Sequence, residues 1–124
     1  MFKDRPEYYI LQGKKVVPIS DIRECSEFLS KIDNRRVAYT EISPESHVST
    51  VFLCFDHSFT PDGPPILFET LVFGGEMADE MARYSTWDEA VEGHEKMVAC
   101  VLEVESAAGS DPWEKRISRI LSDD

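Results

Sequence analysis

No stretch of this chain approaches the roughly 20 consecutive apolar residues that a membrane-crossing helix requires. Apolar runs such as Val51 to Phe55 are far shorter. The opening segment has no apolar core behind its charged residues, so a secretory signal is not expected and action in cytoplasm is. Cysteine is scarce, and Cys25, Cys54 and Cys100 show no CxxC spacing. Neither spacing nor compartment supports zinc or a disulfide, and each cysteine has apolar neighbours. All three therefore read as small buried hydrophobes. Cationic residues are also few, with 13 Lys and Arg against 24 Asp and Glu, a net charge of −11. An acidic surface repels phosphate backbones, which disfavours direct nucleic-acid binding through a basic patch. No phosphate-binding glycine motif is present. The pair Gly74 and Gly75 runs into acidic Glu76, Asp79 and Glu80, so nucleotide binding is not expected. A nucleophile elbow of the GxSxG type is missing too.

What remains is an ordinary globular composition. A chain of 124 residues with 42% apolar content suits a single domain spanning residues 1–124, with flexible ends at 1–6 and 122–124. The acidity is uneven. Residues 1–62 hold 8 basic and 10 acidic groups, net −2, and residues 63–124 hold 5 and 14, net −9. Such a surface can attract a basic partner, including one whose own task is to hold nucleic acid.

Glu7 to Leu11 and Lys15 to Ile19 are β-rich runs flanking a glycine turn, and they predict a hairpin. Ser20 reads as a helix cap, followed by a stripe of Ile22, Cys25, Phe28, Leu29 and Ile32 over 21–33. Three strands are expected at Val37–Ile42, His47–Phe55 and Ile66–Phe73. The last two are apolar on alternate positions of both faces, which suits strands covered on each side. Thr86 and Glu89 form a capping box. It opens a helix to about Val104, in which Gly93 is a weak point. A further short helix is expected after Pro112, in a C-terminal extension over 105–121. The fold class is α+β: a mainly antiparallel sheet of about four to five strands packed by two or three helices.

The most enzyme-like grouping is Asp56, His57, Glu69 and His94. One histidine with two carboxylates could perform acid-base work or bind a metal. No HExxH-like spacing joins these residues, however, and a histidine on an apolar stripe commonly serves as a hydrogen-bonded core residue. Catalysis is not the favoured reading, and no cofactor or metal is expected. Glu69 is the oddest residue, a carboxylate in an otherwise apolar strand. It must find a partner among Ser49, Thr50, Arg83 and His57, or protonate.

Three segments carry a family pattern. Val48 to Phe59 reads VSTVFLCFDHSF, Gly63 to Gly75 reads GPPILFETLVFGG, and Arg83 to Val98 reads RYSTWDEAVEGHEKMV. Together with the leading hairpin and the RRVAYTEI segment, these resemble a family of small bacteriophage and prophage proteins. The typical motifs there are VSTVFLGLDH, PPLLFETMVFGG and RYSTWEEAEAGH. The likeness covers nearly the whole chain to about Val101, with Cys54 where a small residue such as glycine is usual. It transfers no catalytic residues. The family itself carries no stated function, but its phage setting, taken together with the acidic second half, implies a non-enzymatic binding protein in a bacterial host cytoplasm, an anti-defence inhibitor of the anti-CRISPR kind. Glu76, Asp79, Glu80, Asp88, Glu89, Glu92 and Glu95 would engage a basic surface on a host protein. A small metal-dependent or acid-base enzyme and a homo-oligomeric phage accessory protein are the alternatives.

Overall fold

A computed structural model describes residues 8–58 and 62–108. The fold is α+β. Strands β1 (Tyr8–Gln12) and β2 (Lys15–Ile19) form an antiparallel hairpin. Helices α1 (Ile22–Leu29) and α2 (Ile32–Arg35) follow. Strands β3 (Arg36–Ser43), β4 (Ser46–Phe52), β5 (Phe68–Phe73) and β6 (Met81–Tyr84) then form a four-stranded antiparallel meander in chain order. Helix α3 (Trp87–Ala108) runs back across this sheet. The final helix expected after Pro112 lies outside the described residues.

Local chemistry explains most element ends. Asp21, rather than Ser20, caps α1. Its extended backbone lets Oδ1 accept the Arg23 N–H at 2.9 Å, so the helix begins one residue later than expected. That helix also stops at Leu29 instead of continuing to residue 33. The Ser30 hydroxyl donates to the Glu27 carbonyl at 2.6 Å and Asn34 Nδ2 to the Phe28 carbonyl at 3.0 Å, occupying carbonyls that another turn would have used. The predicted capping box forms: Glu89 N–H donates to Thr86 Oγ1, and Thr86 N–H donates to Glu89 Oε1, both at 3.1 Å.

Strand β4 ends at Phe52, short of Phe55, because Cys54 adopts a φ of 71° that breaks the extended run. Only glycine enters this left-handed region freely. Beyond the break, Tyr9 N–H donates to the Cys54 carbonyl at 2.8 Å, and Tyr8 and Phe55 meet edge to face. These contacts dock the hairpin on the main body. Gly74 ends β5 with a φ of 74°, where a side chain would run into the Glu45 backbone carbonyl. Strand β6 was not expected, since four residues carry too little alternation to register as a strand.

The sheet is covered differently from expectation. Ser46, Val48, Thr50 and Phe52 on β4 alternate with half-buried neighbours, as do Phe68, Thr70 and Val72 on β5. The buried set faces α3 and the hairpin. On the other face no helix or second sheet packs among the described residues, which therefore cover these strands on one side. Mixed half-buried side chains, not a second layer, produced the apolar look of that face. An antiparallel sheet tolerates this arrangement.

The described residues bury two apolar clusters. One gathers Tyr9, Cys25, Phe52, Cys54, Leu67, Phe68 and Ala90, and the other Val48, Val72 and Val101. Between them along α3 sits a polar layer formed by Thr50, Thr70 and His94.

Candidate functional site

The four acid-base candidates do not converge. Glu69 lies on the uncovered sheet face, directly opposite Arg83 on β6, whose Nε donates to its Oε2 at 3.0 Å. Of the four candidate partners, Arg83 takes the ion pair. His94 lies beneath the opposite face, since the adjacent Thr70 points towards it and side chains alternate along a strand. Asp56 and His57 follow β4. Asp56 Oδ1 accepts the N–H groups of Ser58 at 2.8 Å and Ile66 at 3.0 Å, and His57 Nδ1 donates to the Phe55 carbonyl at 2.8 Å. These bonds hold the loop between β4 and β5. Among the described residues, no three His, Cys, Asp or Glu side chains are grouped as metal ligands would be.

His94 instead completes a buried chain of hydrogen bonds. The Tyr84 hydroxyl donates to Thr70 Oγ1 at 3.0 Å. Thr70 and Thr50 hydroxyls are 2.5 Å apart, Thr50 Oγ1 is 2.8 Å from His94 Nδ1, and His94 Nε2 is 2.9 Å from Thr40 Oγ1. Each hydroxyl has one proton to give. Tyr84 gives to Thr70, and the direction in which the Thr70 and Thr50 protons both find an acceptor within this chain has Thr70 giving to Thr50 and Thr50 giving to Nδ1. That direction requires a neutral imidazole, with its proton on Nε2 facing Thr40. Burial holds its basicity below the usual histidine value of 6.5, and the nearby Glu95 carboxylate opposes this less strongly. This chain ties α3 to β3, β4, β5 and β6.

At the edge where Tyr84 emerges, an open cleft of about 350 Å³ lies between β6 and α3, lined by Arg83, Tyr84, Glu92, Gly93 and Lys96 among others. Its charges are of both signs and largely committed. Arg83 pairs with Glu69, and Lys96 Nζ lies 3.5 Å from Glu92 Oε2.

The seven acidic residues singled out from sequence fall into two groups. All are exposed. Asp88, Glu89, Glu92 and Glu95 occupy the first half of α3. Glu76, Asp79 and Glu80 follow β5, and the Glu76 N–H donates to Glu105 Oε2 near the other end of the helix at 3.0 Å. At 1.5 Å per residue, Asp88 and Glu105 stand roughly 25 Å apart along the axis. Glu89 is spent on capping, accepting the N–H groups of Ser85 and Thr86. Sequence reasoning missed Glu103, which continues the outward line Asp88, Glu92, Glu95 and Ala99 at helical spacing and is exposed. Reading that period past the first turns would have found it.

The cysteines depart from expectation. Cys25 and Cys54 are fully buried but paired as a disulfide, with Cα atoms 6.7 Å apart. The fold of α1 against the loop after β4 brings them together across 29 residues, which spacing alone does not reveal. Cys100 is free and exposed, because position 100 falls on the outward side of α3.

Comparison with family models, curated proteins and solved structures returns no match for this chain.

Proposed function

We propose that this protein is a non-enzymatic binding protein that engages a basic surface on a partner protein through the outward side of α3. The supporting observation is the exposed line of Asp88, Glu92, Glu95 and Glu103 along the helix, with Lys96 beside Glu92. A rigid 22-residue helix presents these charges in fixed order, which favours steering and orientation of a basic partner. Glu76, Asp79 and Glu80 form a second acidic group beside the far end of the same helix. In the setting that the phage-like motifs imply, the partner is a host defence protein whose basic groove otherwise holds nucleic acid, and the protein acts as a phage-encoded inhibitor.

The experiment is capture from a phage-susceptible bacterial host, followed by competition. Protein captured by this chain should be released by high salt and by an added oligonucleotide. Joint substitution Asp88→Lys, Glu92→Lys, Glu95→Lys and Glu103→Lys should abolish capture, while Glu89 is kept for its cap. Undiminished capture by that variant would refute the reading.

A further inference from the structure

Among the described residues, one face of the four-stranded sheet is left uncovered, and the proposed function does not use it. Its side chains form three rows across the strands. Arg36, Val51, Glu69 and Arg83 make one end row. Tyr39, Ser49, Leu71 and Met81 make the middle row, and Glu41, His47 and Phe73 the other end row. Tyr39, Phe73 and Met81 are 45%, 43% and 49% exposed, large values for apolar side chains grouped on one surface. The aromatic groups are already ordered. His47 stacks on Phe73 with ring centroids 4.7 Å apart, Tyr39 lies 5.0 Å from His47, and the Arg36 guanidinium sits 4.9 Å above Tyr39.

Charge selects the occupant. The chain carries a net charge of −11, yet this face holds two cations, Arg36 and Arg83, against two carboxylates, Glu41 and Glu69. It is a neutral surface on a strongly acidic protein. Single-stranded nucleic acid would find aromatic rings here but no net positive groove, which stacking platforms require. A second copy, by contrast, meets no added like charge.

We propose that this face docks against the same face of a second copy, about a two-fold axis lying along the middle row and across the strands. That axis sets one end row over the other. On β3, Glu41 of each copy then faces Arg36 of the partner subunit, giving two symmetric ion pairs. Tyr39, Leu71 and Met81 meet their own counterparts at the centre, as an isologous interface requires. The alternative axis, parallel to the strands, places Arg36 over Arg83 of the partner subunit and is rejected by repulsion. Four strands about 4.8 Å apart and six residues long give a footprint of roughly 19 by 20 Å. This is less area than a standard specific interface buries, so the dimer is weak and readily reversible. Helix α3 stays outward in both copies, and failure of the dimer would leave the acidic-helix reading untouched.

Sedimentation of the full chain from low micromolar to millimolar concentration tests the proposal. A monomer–dimer equilibrium is expected. Arg36→Glu or Glu41→Arg alone should weaken it about tenfold by replacing attraction with repulsion. The double variant should restore it, because each copy then offers the same pairs with signs exchanged. Both residues are exposed, so the fold tolerates the changes. A monomer at every concentration, indifference to the single changes, or no rescue by the double variant would each overturn the proposal.

Discussion

Thr50 Oγ1 lies 2.8 Å from His94 Nδ1, at the centre of a polar layer that separates two apolar clusters under α3. The hydroxyl both accepts from Thr70 and donates to the imidazole, so it cannot be removed without orphaning a neighbour. Thr50→Val keeps the shape of the side chain and removes this relay. Leaving His94 Nδ1 and the Thr70 proton unpaired should cost about 1–3 kcal/mol. Urea unfolding checks this, with Thr50→Ser as the control that retains the hydroxyl. Equal midpoints for the valine variant and the parent would mean that the chain of bonds contributes nothing.

The neutral state of His94 has a pH consequence. Its folded basicity is lowered by burial, while the unfolded chain takes up a proton near the ordinary value of 6.5. Below that value the unfolded state binds more protons than the folded state. Stability is therefore full above about pH 6.5 and falls as acid is added, by at most about 1.4 kcal/mol per pH unit for this group. Protonation would also turn Nδ1 into a donor and oppose the direction of the Tyr84–Thr70–Thr50 chain. Urea midpoints at mildly acidic and mildly alkaline pH should separate more for the parent than for His94→Gln. A parent no more acid-sensitive than the variant would contradict the assignment.

Much of the fold was legible because its signals are local. Gly13 marks the hairpin turn, Thr86 and Glu89 cap α3, and Gly74 and Gly75 close β5, and each can be read within a few residues. The α+β class followed from these and from the three longer strands. What escaped depends on distant contacts. The pairing of Cys25 with Cys54 exists only once α1 has folded back, and β6 is a strand only because β5 lies beside it. The uncovered face was misread because Leu71, Phe73 and Val51 look the same in sequence whether a second layer covers them or not. Among the site candidates, Glu69 stood out as a carboxylate needing a partner, and Arg83 was among those foreseen. Its separation from His94 follows from strand alternation and could have been deduced once Thr70 was placed beneath the helix.

Gly93 tests packing against propensity. In an isolated helix, alanine would be favoured over glycine by up to about 1 kcal/mol. Here a methyl group at position 93 would collide with the Tyr84 ring, and that ring is held by its hydrogen bond to Thr70. Gly93→Ala should therefore destabilise, by about 1–3 kcal/mol as overpacked sites do. Combining it with Tyr84→Ala, which vacates the space, should recover part of the helix gain. A stabilised single variant would show that Tyr84 moves aside freely.

The Cys25–Cys54 pair gives the protein a measurable dependence on oxidation. Because Cys100 alone is free, thiol titration of the unfolded, unreduced protein should count one group, rising to three after reduction. Closing a loop across 29 residues restricts the unfolded chain, and the loop-entropy relation puts the stabilisation at about 3–4 kcal/mol. Reduction should lower the urea midpoint accordingly. Cys25→Ala should reproduce that loss, with a further increment for the volume removed from a site with no solvent exposure. Cys100→Ser, on the exposed side of α3, should leave both the midpoint and its response to reductant unchanged. If three thiols titrate before reduction and reductant does not move the midpoint, the two buried cysteines are packed as thiols and contribute through burial alone.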